Sequence, residues 1–335
     1  KLGFTIGRSG DAISVSPPSW RWDIHGEADL VEEVLRIKSL DSIPAVSLPR
    51  DQAIPLPVLT LRQRRSQTAR RMLAARGMHE CVTWSFMPRK FAELFGGGQD
   101  ELMLANPISS DLDCMRPSML PNLIDAARRN AARGMGDVAL FELGPQYAGD
   151  QPGDQALVAA GVRAGDAVGR HWSAARRPVD AYDAKADAVA ALAAIGAPVD
   201  RLQTDTEVPA WYHPGRAGRL ALGPKNTIAL FGDIHPRVLK ALDIDGPVVA
   251  FEIFIDNIPE PKSKGAKTRN LLRASSLQPV ERDFAFVVDE DVPAEKVLRA
   301  VKGADKALIV GADVFDVYRG ASIGEGRKSL AVSVT

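Results

Sequence analysis

The sequence predicts an α+β fold made of more than one domain. Its 335 residues exceed the size of one typical hydrophobic core, so two or three domains are expected. Helical periodicities alternate irregularly with paired, strand-like runs typical of antiparallel hairpins, which favours α+β over a doubly wound sheet. A content of 45% hydrophobic and 25% charged residues is ordinary for globular proteins and allows a sizeable core.

The N-terminal stretch predicts a short strand followed by an amphipathic helix. A β-like segment, Ala12–Val15, comes before a Pro-Pro turn. A helix is expected over about residues 27–40 and is ended by Ile43-Pro44. The following stretch, 44–57, is rich in proline and typical of a linker or an extended crossing.

The central part predicts a long helix and a series of strands. The helix spans about residues 59–76, with Gly77 as its C-terminal cap, and a strand at Glu80–Phe86 follows. The next predicted elements are strands at 138–147 and 156–163, a helix at 183–194, strands at 218–222 and 227–233 around a Gly-Pro-Lys-Asn hairpin, and a strand at 248–256.

The C-terminal part predicts a smaller unit after a basic stretch at 260–275. RDFAFVVD, a helix at 294–301, LIVGADVFDVY and KSLAVSVT predict β-α-β-β, the first part of a β-α-β-β-α-β ferredoxin-like unit. The chain starts at Lys1 rather than Met and stops inside a strand-like run, so we expect a fragment of a longer polypeptide.

Charge and cysteine content exclude some classes of protein. Lys plus Arg and Asp plus Glu both total 42, so a polyanion site would have to come from local clustering. Cys81 and Cys114 cannot by themselves form a disulfide framework or a zinc site, which favours a reducing, cytoplasmic location. We find no apolar run of membrane-spanning length and no signal peptide.

Four carboxylates near the N-terminus form the strongest candidate site, which we call the acidic edge: Asp23, Asp29, Glu32 and Glu33. On a helix, Asp29 lies one turn from Glu32 and Glu33, and such carboxylates repel by roughly 0.2–0.5 kcal/mol per pair. A positive group is therefore expected nearby, and Mg²⁺ prefers such oxygen ligands. The spacing alone also fits a solvated helix face, which is the more frequent case.

Other candidate chemistry is weaker. The histidines are scattered, with neither an HExxH pair nor a GxSxG elbow, and Gly96–Gly98 lacks the Lys-Ser/Thr of a phosphate loop. A metal-dependent hydrolase is disfavoured, because His25 is the only histidine near the acidic edge. Arginines crowd the helices at 59–76 and 120–134, and either phosphate contacts or a solvated face explains them equally well.

The order of several motifs is more specific than any one of them. PPSWRWDI, EADLVEEVLRI, LANPISSDLDCMRPSMLPNLI, ALFELG, YHPGRAG, FGDIHP and VERDFAFVVD follow one another along the chain. In this order they resemble the bacterial phenylalanyl-tRNA synthetase beta subunit over nearly the whole chain, most weakly at about 150–205.

This resemblance implies an α+β chain of three domains with two linkers. The parts are the end of a winged-helix-like domain with a metal motif (1–45), a linker (46–58), a non-catalytic, class II synthetase-like antiparallel sheet domain (59–260), a basic linker (261–275) and a truncated ferredoxin-like anticodon-binding domain (276–335).

The resemblance also implies site residues. Asp23, Asp29, Glu32 and Glu33 match the positions with which the family binds Mg²⁺ at its contact with the alpha subunit. Since Glu32 and Glu33 diverge by about 100° on a helix, one of them is expected to act through water. Residue type alone, apart from the resemblance, makes Arg282, Tyr318, Arg319, Arg327 and Lys328 of the last domain candidates for stacking and phosphate contacts to single-stranded RNA, although individually they are common surface residues.

The implied function is that of the non-catalytic beta subunit of a cytoplasmic phenylalanine–tRNA ligase. The sequence lacks a Gly-x-Gly-x-x-Arg motif, and Leu140 and Phe141 precede Glu142 where active class II enzymes carry arginine. ATP chemistry would therefore belong to the alpha subunit, with tRNA(Phe) as a further partner in an (alpha-beta)₂ heterotetramer. The alternative is a free-standing nucleic-acid-binding module without an alpha partner.

Overall fold

A computed structural model describes residues 2–48, 57–260 and 275–335. Helices and strands alternate within a mixed α/β fold, as predicted, and the chain divides into two units, Lys1–Pro57 and Val58–Thr335. Most of the predicted linkers at 46–58 and 261–275 lies outside the described residues. Among the described helices, none has both the length and the apolar character that crossing a membrane requires.

The first unit contains a hairpin and one long helix. Strands β1 (Thr5–Ser9) and β2 (Ala12–Ser16) pair antiparallel, and helix α1 spans Glu27–Lys38. A single 3-10 turn, Leu40–Ser42, follows. The predicted strand and helix are thus confirmed, with the helix ending two residues earlier than expected.

Before residue 260, the second unit contains a large sheet and two short two-stranded sheets. Its strands before residue 260 are β3 (His79–Glu80), β4 (Phe86–Met87), β5 (Cys114–Met115), β6 (Val138–Tyr147), β7 (Gln155–Ala164), β8 (Asp166–Val168), β9 (Arg177–Pro178), β10 (Gln203–Asp205), β11 (Tyr212–Ala221), β12 (Thr227–Ile234) and β13 (Val248–Phe254). The large sheet has the order β10-β11-β12-β13-β7-β6-β3. Its pairs are antiparallel except for the parallel pair β3–β6.

Helices cover both faces of this sheet. They are α2 (Leu61–Ala75), α3 (Arg89–Glu93), α4 (Leu120–Ala131), α5 (Ala181–Ala194) and α6 (Pro236–Ala241). Buried residues of α2 and α5 pack with Phe141 and Phe251 on one face, and those of α4 and α6 pack with Leu140 and Val162 on the other. Successive side chains of a strand point to opposite faces of the sheet, so Leu140 and its neighbour Phe141 pack in different clusters.

Sequence signals explain how two of these helices begin and end. Thr60 accepts the backbone N–H of Gln63 and begins α2, and Gly77 closes it at φ 80°, as predicted. Asp180 accepts the N–H groups of Tyr182 and Asp183 at the start of α5.

Two strand predictions before residue 240 need correction, and the strand predicted over LIVGADVFDVY begins only at Ala312. The predicted strand Glu80–Phe86 is wrong, because β3 ends at Glu80 and strand structure resumes only at β4. In the segment between β3 and β4, the hydroxyl of Thr83 and the carbonyl of Trp84 bind Arg116 instead of a neighbouring strand. Strand β11 begins at Tyr212 rather than Gly218 and contains a register shift before Ala217.

The last part of the second unit has the predicted β-α-β-β order. Strands β14 (Arg282–Asp289), β15 (Ala312–Tyr318) and β16 (Arg327–Val334) form a sheet of order β14-β16-β15, and helix α7 (Ala294–Ala304) precedes β15. Val297 of α7 packs on Leu330 and Val332 of the central strand β16.

Candidate functional site

Arg21 binds two of the four carboxylates of the acidic edge. Its Nη2 lies 2.7 Å from Oδ2 of Asp23 and 3.0 Å from Oε1 of Glu33. Nη2 of Arg36 donates to the second oxygen of Glu33 at 2.8 Å. The Glu33 side chain is only 11% exposed, so this carboxylate lies enclosed between two guanidinium groups.

Asp29 uses its carboxylate at the start of α1. Its Oδ2 accepts the backbone N–H groups of His25 at 2.7 Å and of Gly26 at 2.8 Å. Such N–H groups have no partner within the helix, so Asp29 stabilises the first turn. Glu32, one turn further on, is exposed.

These contacts keep three of the four carboxylates ionised. Hydrogen bonds from Arg21 lower the pKa of Asp23 from 3.8 to about 2. Hydrogen bonds from Arg21 and Arg36 lower the pKa of Glu33 from 4.5 to about 2. The backbone N–H groups of His25 and Gly26 also lower the pKa of Asp29.

The acidic edge has the donor chemistry of a Mg²⁺ site, and most of its oxygens already have hydrogen-bond partners within the chain. Carboxylate oxygens are the ligands that Mg²⁺ prefers. The oxygens of Asp23, Asp29 and Glu33 are held by N–H donors of the chain itself. In the ranges that the structure describes, we find no set of three His, Cys, Asp or Glu side chains placed to hold a metal. The metal assignment therefore stays a prediction.

A second group of carboxylates lies inside the large sheet. Glu142 on β6 and Glu252 on β13 both pair in register with Ala160 of the intervening strand β7. Residues paired across a sheet lie on the same face, so both carboxylates point to the side covered by α4. Both residues are buried, with relative exposures of 5% and 2%.

Arg116 is enclosed beside Glu142, and its guanidinium has four hydrogen-bond acceptors. Nη1 donates to Oε1 of Glu142 at 2.8 Å, to Oγ1 of Thr83 at 3.1 Å and to the carbonyl of Trp84 at 3.5 Å. Nε donates to the carbonyl of Pro145 at 2.9 Å. The side chain is 2% exposed, so this is a buried and well-satisfied ion pair.

Glu252 is satisfied by neutral donors rather than by a cation. Its Oε1 accepts from Oγ of Ser118 at 2.7 Å and from Nε2 of Gln146 at 3.0 Å, and its Oε2 accepts from the hydroxyl of Tyr212 at 3.3 Å. Burial raises the pKa of Glu252, and the three donors partly offset that rise.

No role was predicted for these buried polar residues, although the sequence contains a signal for them. Glu142 and Glu252 each stand alone in an apolar strand, within VALFELG and VVAFEIF. Arg116 stands equally alone within CMRPSML. Because a charged residue is almost never fully buried without a partner, such isolated charges predict a buried polar contact.

Four of the five predicted tRNA-binding residues lie at one end of the small sheet. Arg319 forms an ion pair with Glu290 at 2.8 Å, and Nζ of Lys328 donates to the carbonyl of Glu290 at 2.7 Å. Arg327 lies 4.0 Å from Asp289, and Tyr318 pairs with Ser329. Arg282 pairs with Val334 at the opposite end of β14, so the structure separates it from the other four.

Most arginines of α2 bind acceptors within the chain. Arg62 pairs with Asp256 at 2.7 Å. Arg65, 6% exposed, donates to the carbonyls of Ile258 and Pro259. Arg70 and Arg76 likewise bind Glu80 and Asp187. These guanidinium groups therefore fasten α2 to the sheet domain, and Arg64 and Arg71 are exposed on the described helix, where the predicted choice between solvent and phosphate stays open.

Sequence comparisons match the whole chain to one kind of protein. The family described as "Phenylalanyl tRNA synthetase beta chain CLM domain" matches residues 45–255. The "tRNA synthetase B5 domain" matches residues 1–39, and the "Ferredoxin-fold anticodon binding domain" matches residues 275–335.

Curated relatives carry a consistent name. The phenylalanine–tRNA ligase beta subunits of Paramagnetospirillum magneticum and Rhodospirillum rubrum are each 57% identical over 100% of this chain. The chain spans 42% of the length of either relative. Among solved structures, a pyrrolysyl tRNA synthetase from Desulfitobacterium hafniense aligns with 69% of this chain and 73% of its own at a TM-score of 0.45 and 14% identity, a likeness too weak to support an argument.

Proposed function

We propose, because this chain belongs to the phenylalanyl-tRNA synthetase beta chain family, that it is part of the beta subunit of a phenylalanine–tRNA ligase. The observation that carries the proposal is the family match over residues 45–255. Because the chain spans 42% of its relatives, the activity of the assembly remains a proposal for the complete protein.

The chain would support catalysis without performing it. Leu140 and Phe141 precede Glu142 where the resemblance implies an arginine of active enzymes, and the side chain of Arg116 lies beside Glu142. ATP-dependent attachment of phenylalanine to its tRNA would then take place on the alpha subunit. The free-standing module is not supported, since the relatives that match the entire chain are beta subunits.

The proposed domain organisation follows the boundaries predicted above. It consists of a winged-helix-like end at 1–45, a class II synthetase-like sheet domain without catalysis at 59–260 and an anticodon-binding domain at 276–335, joined by linkers at 46–58 and 261–275. Support comes from the B5 and ferredoxin-fold matches at the two ends of the chain.

A metal site at the acidic edge is proposed only for the assembled enzyme. The oxygen donors of Asp23, Asp29, Glu32 and Glu33 suit Mg²⁺, which would act there as a structural brace. In the isolated chain Arg21 already neutralises two of these carboxylates, so the alpha subunit would have to change these contacts.

The proposed contacts with tRNA lie at the end of the small sheet that carries Arg319, Arg327 and Lys328, with Tyr318 offering a ring for stacking. Arg282 would contact a separate part of the tRNA, because it lies at the other end of β14. We further propose an (alpha-beta)₂ heterotetramer in the cytoplasm.

The test is reconstitution of the complete beta protein with its alpha partner. We expect phenylalanine-dependent ATP–pyrophosphate exchange and aminoacylation of tRNA(Phe) from the mixture, and neither from beta alone. Deleting residues 275–335 should reduce aminoacylation more than exchange, since exchange needs no tRNA. Absence of exchange from the mixture would contradict the proposal, and so would full activity of alpha without beta.

A further inference from the structure

The groups around Arg116 form a site for a planar guanidinium. Its acceptors lie on two edges of the group, with the carbonyl of Pro145 at Nε and Glu142 and Thr83 at Nη1. Oγ of Thr83 also donates to the other oxygen of Glu142 at 2.5 Å, which holds the carboxylate in place. An ammonium ion is a compact point charge and cannot match acceptors spread over the edges of a plane.

The sheet beneath Arg116 leaves room for this group. A Cβ added to Gly144 of β6 would stand 2.7 Å from Nη2 of Arg116, closer than real contacts allow. The neighbouring position on β7 in the row of Glu142 is the small residue Ala160. The absent side chain at Gly144 and the small one at Ala160 therefore leave room for the guanidinium group beside Glu142.

Arg116 reaches this hollow from a segment that is itself anchored. Its backbone N–H donates to the carbonyl of Ser85, and its carbonyl accepts from the N–H of Tyr147. Two residues later, Ser118 binds Glu252 at 2.7 Å. One short segment thus supplies a group to each of the two buried carboxylates.

From this arrangement we propose that the α4-covered face of the sheet contains a guanidinium-binding pocket whose resident ligand is Arg116 of the same chain. When that side chain is removed, the pocket takes a free guanidinium-class cation. Because the resident ligand is tethered, it outcompetes free cations and keeps this face closed to small molecules. The proposal concerns contacts within the sheet domain and stands independently of the ligase function.

Chemical rescue of Arg116→Ala tests the pocket. The complete protein is followed by hydrogen–deuterium exchange of the peptide covering β6, with and without low-millimolar methylguanidinium. We expect the substitution to accelerate exchange in β6 several-fold and methylguanidinium to restore most of the protection. Urea at the same concentration should have no effect, because it carries no charge for Glu142.

Two further variants establish where the rescue occurs. In Arg116→Ala/Glu142→Gln, methylguanidinium should no longer restore protection, since its carboxylate partner is absent. Arg65→Ala removes another buried arginine, whose acceptors are backbone carbonyls. Methylguanidinium should leave β6 exchange unchanged in that variant. Equal rescue in the double variant, or absence of rescue in Arg116→Ala, would overturn the proposal.

A glycine pair keeps the test decisive if Arg116→Ala does not fold. Gly144→Ala introduces the Cβ that would meet Arg116, whereas Gly153→Ala introduces one with no atom within 4 Å. We expect several-fold faster exchange in β6 and around Thr83 for the first substitution and no change for the second. The same exchange in both variants would show that Arg116 does not occupy this hollow.

Discussion

Two networks of arginine and carboxylate groups in this chain have the same chemistry in different surroundings. At the acidic edge, only Glu33 is enclosed, at 11% exposure of its side chain, while the side chains of Arg36 and Asp23 are 54% and 59% exposed. Inside the sheet, those of Arg116 and Glu142 are 2% and 6% exposed. Solvent screens the first network, whereas the second lies where unpaired charge is expensive.

This difference in solvent exposure determines which carboxylates can exchange their arginine partner for another cation. A partly exposed ion pair contributes little net stability, so its carboxylates can pass to another cation at low cost. A buried pair must keep its partner, because a charge left alone is not rehydrated. We therefore expect the acidic edge to be adaptable and the Arg116 site to be permanent.

The largest expected effect is that of Glu142→Gln. The isosteric amide removes the charge that balances Arg116, and breaking a buried pair in this way costs about 3–5 kcal/mol. The free energy of unfolding of the complete protein, measured with urea, provides the check. Glu80→Gln is the matched control, since Glu80 pairs with Arg70 at 39% and 40% exposure and should cost about 0–1 kcal/mol. Equal costs would refute the contrast between buried and partly exposed ion pairs on which the comparison of the two networks depends.

A second prediction uses the pH dependence that Glu252 confers. Its pKa is raised above the ordinary 4.5 by burial, so the unfolded state loses this proton at a lower pH than the folded state does. The stability that Glu252 contributes is therefore full below pH 4.5 and is lost as the pH rises through the folded pKa. Glu252→Gln cannot ionise and should remove this loss.

The measurement is the free energy of unfolding from mildly acidic to neutral pH. As the pH rises, the free energy of unfolding of Glu252→Gln should increase steadily relative to that of wild type. Glu207→Gln, whose wild-type side chain is 78% exposed, serves as the control and should run parallel to wild type. Parallel curves for Glu252→Gln as well would contradict the assignment.

The third prediction sharpens the idea that the acidic edge is adaptable. Arg21→Met removes the cation that binds Asp23 and one of the two that bind Glu33, whereas Arg36→Met removes one cation from Glu33 and leaves Asp23 paired. If these carboxylates bind a divalent metal, Arg21→Met should raise the affinity of the assembled enzyme for Mn²⁺ several-fold, and more than Arg36→Met does. Electron paramagnetic resonance of free Mn²⁺ measures this, and unchanged affinity in both variants would argue against a metal there.

The smallest expected effect concerns the exposed ion pairs of the small domain. Arg319→Met should lower the salt dependence of tRNA(Phe) binding by about 0.7 in the slope of log K against log salt, as for one phosphate contact on a single strand. Arg299→Met is a close control, since the two side chains are 60% and 64% exposed and each pairs with a glutamate. Filter binding over a range of salt concentrations measures these slopes. Equal slopes for the Arg319→Met and Arg299→Met variants would show that Arg319 does not contact tRNA.

Local sequence signals predicted helices and strands well where no distant residue binds the polar groups of the segment. The apolar run Val138–Tyr147 and the capped, alanine-rich helix Ala181–Ala194 form largely as expected. The strand predicted at Glu80–Phe86 is wrong, although its β-branched and aromatic residues are typical of a strand. Thr83 and the carbonyl of Trp84 instead accept hydrogen bonds from Arg116. That partner is distant in sequence and invisible to any local pattern.

For the candidate sites, the sequence indicated residue types but not their partners. Spacing on α1 predicted that something positive would accompany the acidic edge, and Arg36 lies within the same helix. That Arg21 would bind Asp23 and Glu33 together depended on how the preceding turn folds. The separation of Arg282 from Arg319 likewise follows from strand register, which composition does not reveal.

By itself the sequence determined the α+β class, the order of most elements and the family, because periodicity, capping residues and ordered motifs are local properties of the chain. Only the tertiary structure decided which charges meet. The registers of β6, β7 and β13 place Glu142 and Glu252 on one face, and Arg116 reaches Glu142 there from a separate segment that follows β5. Burial on that face then makes their partners obligatory, whereas the same groups at the acidic edge remain exchangeable.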